Sequence, residues 1–101
     1  MRDPSRHGFL IYGLDADLQK TREMLLTQAG YGVDRAEDWP TYMAYIDSYE
    51  YRLAILCHTI PKEECEECEA LALGKKIQVF ILNGAIAPQE FMQQIAKFVY
   101  G

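Results

Sequence analysis

Apolar residues along the chain gather in short runs, separated by stretches in which they recur at every third or fourth position. Phe9, Leu10, Ile11 and Tyr12 form the first run, stopped by Gly13, and predict a strand. Asp15 then offers a carboxylate to the free amides of a first helical turn. Leu18, Thr21, Leu25 and Ala29 give the following helix a packing face, widened by Met24 and Leu26, and Gly30 ends it. Residues Tyr31 to Ala36, centred on Val33, predict a weaker strand with polar flanks suited to a sheet edge. Asp38, Trp39 and Pro40 open a second helix on which Tyr42, Tyr45, Ile46 and Tyr49 share one face, a row that reads as core or half-core packing. Leu53, Ala54, Ile55 and Leu56 then run unbroken, as a strand buried on both faces requires. Pro61 starts a third helix with Cys65, Cys68, Leu71 and Ala72 inward and Gly74 at its close. Ile77 to Leu82 predict a fourth strand ending at Asn83-Gly84, and from Pro88 on, Phe91, Ile95, Phe98 and Val99 describe a last amphipathic helix.

Strand and helix thus alternate four times, with connections that demand right-handed crossovers. The expected fold is a small doubly wound parallel sheet of the α/β class, strand order 2-1-3-4. Residues 9–101 are read as one domain, preceded by a polar, aperiodic leader over residues 1–8. Such sheets act at the carboxyl ends of their strands, which places Cys57 and His58, just after the central strand, where an α/β domain carries its chemistry.

Composition narrows the classes. Half of the 101 residues are hydrophobic, enough for one core. The net charge of -5, with basic residues scattered, argues against nucleic acid or an anionic membrane surface. No apolar run approaches the roughly 20 residues that cross a bilayer, and the amino terminus carries no signal segment, so the protein is expected in the cytoplasm. The three cysteines are expected as free thiols.

In this order and spacing, Phe9 to Leu18 (with Leu-Asp-Ala-Asp-Leu after the strand), Gln28-Ala29-Gly30-Tyr31-Gly32-Val33, and Leu53 to Pro61 make the chain resemble a receiver domain of bacterial two-component response regulators. The resemblance runs from Phe9 to about Gly84 and implies a CheY-like, flavodoxin-like fold. Receiver domains place a phosphoryl group on an aspartate ending the third strand, with Mg²⁺ held by that aspartate and an acidic pair after the first strand. Carried over by position, the acceptor falls on Cys57 and the acidic pair on Gly13 and Leu14, leaving Asp15 as the nearby carboxylate. The Thr or Ser after the fourth strand falls on Asn83. The lysine ending a fifth strand has no counterpart, because Ala85 to Gly101 supply one helix only. Mg²⁺ requires hard oxygen ligands, which a thiol and two such positions do not offer. The resemblance therefore implies a pseudo-receiver: the fifth strand missing, no enzyme activity, no cofactor and no metal.

Other chemistries compete for the thiols. A cysteine-dependent phosphatase wants an Arg six residues after its Cys, where this chain has Glu63. Cys65 and Cys68 have the C-x-x-C spacing of redox dithiols and zinc half-sites, yet both fit the inner face of a helix. The leading expectation is a non-catalytic module that binds a protein partner in two-component-type signalling. The fourth strand, left at an edge, invites a homodimer built from residues between Ile77 and Tyr100, with Ile77, Val79, Ile81, Phe91, Ile95 and Phe98 as its surface. The alternative is a thiol redox or metal-binding module using Cys57, Cys65 and Cys68. Glu63, Glu64, Glu66, Glu67 and Glu69 could hold something basic, though a solvated helix face explains them as well.

Overall fold

The computed structural model describes residues 6–82, 84 and 86–100. Strands β1 (Arg6–Tyr12), β2 (Val33–Ala36), β3 (Glu50–Leu56) and β4 (Gln78–Ile81) alternate with helices α1 (Ala16–Gln28), α2 (Trp39–Ser48), α3 (Lys62–Gly74) and α4 (Pro88–Tyr100). The sheet is parallel throughout, in the expected order β2-β1-β3-β4. No described helix is long and apolar enough to cross a membrane.

Successive strand residues point to opposite faces, and the two faces build separate cores. Leu10, Tyr12, Ala54 and Leu56 meet Tyr42 and Ile46 of α2 and Cys68 and Ala72 of α3. Phe9, Ile11, Leu53 and Ile55 meet Leu26 of α1 and Phe91 and Ile95 of α4. A continuous apolar run is what a strand covered on both sides needs, and Leu53 through Leu56 are all buried.

Helix ends follow the local chemistry. Asp15 Oδ1 accepts from the amides of Asp17 (3.1 Å) and Leu18 (3.2 Å), and Asp38 Oδ1 from that of Thr41 (2.8 Å). Gly30 leaves α1 at φ 95°, a left-handed conformation costly for residues bearing a Cβ.

Three expectations change. β1 begins at Arg6, inside the segment read as a leader, because β3 already starts at Glu50 and gives it backbone partners: Arg6 pairs with Glu50 and His7 with Tyr51. Residues 1–5 lie outside the described residues. The packing face of α1 is rotated from the one expected: Thr21, Met24 and Ala29 are exposed, and the buried positions are Gln19, Arg22 and Leu26. Finally, Ile77, Phe91 and Ile95, assigned to a dimer surface, belong to the chain's own interior at 4 %, 1 % and 0 % exposure. Ile77 packs in the core under α2 and α3, and Phe91 and Ile95 in the core under α1 and α4. Helix α4 lies on the face shared with α1, where Phe98 and Phe91 flank Phe80 of β4 (ring centroids 5.1 and 6.5 Å). It covers a face of β4 and leaves the strand's outer backbone edge without a neighbouring strand among the described residues.

Phe91 fastens α4 to the sheet. Phe91→Ala is expected to lower unfolding free energy in urea by about 3–5 kcal/mol, as loss of a buried aromatic does. Exposed Leu73→Ala on α3 is expected to stay within about 0.5 kcal/mol of the parent.

Candidate functional site

Cys57 follows β3 directly, and its amide donates to the Tyr12 carbonyl at 2.9 Å, locking the ends of the two central strands together. Its side chain turns to the α1/α4 face, where it is 2 % exposed. Two residues of α1 reach it. Arg22 donates from Nη1 to the sulfur at 3.1 Å, and the thiol donates to Gln19 Oε1 at 3.0 Å. Gln19 in turn donates from Nε2 to the Ala36 carbonyl at 3.4 Å, so one polar chain runs from α1 through β3 to the end of β2.

This chain of bonds has a direction. The sulfur accepts from a cation and donates to an amide oxygen, so the thiol keeps its proton. Burial pushes the Cys57 thiol up to about 11, although Arg22 pulls the other way. Removing both groups from water outweighs their attraction at this depth. A protonated, water-shielded thiol is a poor nucleophile.

The neighbouring loops complete the site. Gly13 is buried against Cys57: a Cβ there would stand 2.8 Å from the Cys57 Cβ and 3.1 Å from the Gln19 amide carbon, closer than packed atoms allow. Leu14 is 48 % exposed, and its amide donates to Thr59 Oγ1 at 2.9 Å, tying the β1–α1 loop to the β3–α3 loop. Asp15 is at the surface and capping α1. Mg²⁺ would meet a hydrogen-bonded thiol, a glycine, a leucine and one carboxylate already engaged, and no described cluster of three His, Cys, Asp or Glu residues could hold a metal ion. The donor set does not fit the ion. Asn83, read from the resemblance as the switch position, lies outside the described residues.

The other thiols are apart from this chain of bonds. Cys68 is buried on the opposite face, where Tyr42 donates its hydroxyl to the Cys68 carbonyl at 2.7 Å, and burial pushes its thiol up to about 12. Cys65 is half-buried, its thiol also raised, first by burial and then by Glu69 and Glu66. His58 is exposed. Tyr12 spends its hydroxyl on Glu64 Oε1 at 2.6 Å, which removes one carboxylate from the acidic run on α3.

Gln19 and Arg22 escaped the sequence reading. Their spacing to Leu26, three and then four residues, was the available signal: polar residues on the stripe that faces the sheet.

No protein-family model and no curated protein sequence matches the chain. Solved structures do match in shape. The response regulator TrrA from Thermotoga maritima, solved with Mg²⁺ and BeF, superposes with a TM-score of 0.72 at 16% identity over 91% of this chain and 98% of that one. A CheY-like response regulator receiver domain protein from Methanospirillum hungatei JF-1 gives 0.68 at 17% identity, over 92% and 93%. A de novo designed Rossmann fold protein gives 0.60 at 14% identity, over 95% and 99%. The fold is receiver-like. At these identities the likeness is one of backbone fold.

Three outcomes are expected. Gly13→Ala crowds the Cys57 and Gln19 side chains and is expected to cost about 1–3 kcal/mol in chemical denaturation. Because folded Cys57 and Cys68 hold protons that unfolded thiols release near 9.0, unfolding releases protons above that pH. The two thiols' contribution to stability should therefore be level below pH 9 and fall as the pH rises through about 11 to 12, with a shallower fall in Cys68→Ala. In a native-state labelling time course at pH 8, Cys65 should react first.

Proposed function

We propose that the chain is a non-catalytic pseudo-receiver, acting by protein–protein contact in two-component-type signalling without aspartate phosphorylation. The observation that carries this reading is the state of Cys57. The residue at the phosphoacceptor position is a buried, protonated thiol bonded to Gln19 and Arg22. An acceptor needs an exposed oxyanion and a divalent cation to draw phosphate charge toward it. Here a thiol stands in place of the oxyanion, and a fixed guanidinium lies beside it. The burial and raised thiols of Cys57 and Cys68 weigh against a redox or metal-binding module.

The partner surface in this reading is the β4 edge, used first for a second copy of the chain. Leu82 donates its amide inward to the Leu56 carbonyl at 2.8 Å. By alternation, the amides of Val79 and Ile81 then point away from β3, toward an incoming strand. With Ile77, Phe91 and Ile95 in the interior, Val79, Ile81 and Phe98, all half-buried, remain for the partner to touch.

Native mass spectrometry after incubation with Mg²⁺ and acetyl phosphate should show no phosphoryl adduct on the parent or on Cys57→Asp, since restoring one carboxylate leaves Gly13 and Leu14 without ligands. An adduct on either protein would refute the reading. Sedimentation equilibrium should show a dimer, and Val79→Pro, which removes an outward amide, should be monomeric with unchanged far-UV circular dichroism. A parent that stays monomeric at high micromolar concentration would remove the dimer from the proposal.

A further inference from the structure

Among the described residues, Arg22 is a buried cation without an anion. The residue is 5 % exposed. Among the described residues its guanidinium donates to the Cys57 sulfur and forms no ion pair with a carboxylate. A neutral thiol is a weak acceptor, and a guanidinium has several further N–H donors. The Phe91 ring, with its centroid 6.0 Å from the guanidinium carbon, contributes the face of a π system but no charge. Burying an unmatched positive charge is costly, so an anion that reached it would be held more strongly than at the surface.

A cavity borders this residue. Between α1 and the start of α4 lies a space of about 170 Å³, with Arg22 in its wall and Leu18, Thr21, Leu25, Ile86, Pro88 and Phe91 around it. Apolar cavities of about 150 Å³ admit a guest the size of benzene. Charge and shape together specify the guest: one negative charge for one guanidinium, on a planar group that matches its fork, attached to a compact apolar body. A phosphate dianion would bring a second charge into apolar walls with no cation to meet it.

We propose that this cavity is a binding site for a small monocarboxylate, with the carboxylate on Arg22 and a phenyl or branched aliphatic body among Leu18, Leu25, Ile86 and Phe91. The site is independent of whether Cys57 replaces a phosphoacceptor. It joins α1 to α4, so an occupied cavity ties the first helix of the chain to its last.

Titration of the full chain with benzoate and with isovalerate, followed by calorimetry and by amide chemical shifts, tests the proposal. Saturable binding with a Kd of about 1 mM or tighter is expected, with shifts centred on residues 18–25 and 86–91. Benzamide, which keeps the body and lacks the charge, should bind at least about ten-fold more weakly, and Arg22→Met should lose benzoate affinity by a similar factor. Leu18→Trp fills the cavity while leaving the guanidinium in place, and should abolish binding. If Arg22→Met does not fold, the benzamide and Leu18→Trp arms decide. No saturable binding by about 20 mM, benzamide equal to benzoate, or undiminished binding in a folded Arg22→Met or Leu18→Trp protein would each overturn the assignment.

Discussion

A guanidinium taken out of water must find partners inside the protein, and the carboxyl end of this sheet is arranged around how Arg22 finds one. Its hydrogen bond to the Cys57 sulfur directs the thiol proton toward Gln19, and Gln19 passes its own donor to the end of β2. The three groups meet only because Gly13 has no side chain: a Cβ there would intrude within 2.8 Å of the Cys57 Cβ. The glycine after β1, the thiol after β3 and two polar residues of α1 are therefore one packing solution. Each would be hard to change alone.

The second organising constraint is the short sheet. Among the described residues the sheet has four strands: β3 is covered on both faces and has a neighbour on each side, while β4 has one neighbour. The last helix answers part of that deficit by returning to the α1 face, where Phe91 and Ile95 are buried and Phe98 packs on Phe80. It cannot answer the rest, because a helix laid over a sheet's face offers no backbone groups to the strand's edge. The core and the edge are thus different problems. The apolar residues from Ile77 to Phe98 divide between them, some filling the interior and some left half-buried beside the open strand.

What was legible in the sequence follows from which forces act locally. The strands β3 and β4, the capping by Asp15 and Asp38, and the start of α4 at Pro88 each depend on residues close in the chain, and the order 2-1-3-4 follows from crossover handedness. The start of β1 was not legible, since the pairing of Arg6 with Glu50 and of His7 with Tyr51 is set by register with β3, and residues 6–8 form no apolar run in the sequence. The inward face of α1 was misread for a related reason. Periodicity counts Gln19 and Arg22 as polar and sends them to solvent, whereas they are buried to meet a thiol 38 and 35 residues later. A stripe chosen by hydrophobicity alone fails where a helix buries hydrogen bonds.

That failure bears on what kind of site this is. A switch built on a divalent cation and an exposed carboxylate is conditional: the charge balance changes when the metal or a phosphoryl group arrives. In the reading proposed above, Arg22 supplies a positive charge covalently and permanently, and Cys57 supplies no negative one. Such a site has a single protonation state across neutral pH, since the Cys57 thiol titrates only near about 11. On that reading such a site responds to binding rather than to a change of its own charge, and the open edge of β4 and the charge of Arg22 are the two places proposed for it. Helix α4 touches both places: it lines the Arg22 cavity with Phe91 and supports Phe80 of the edge strand with both Phe91 and Phe98. Phe91 is the side chain common to both, so any displacement of α4 by a ligand at one place must be felt in the packing of the other.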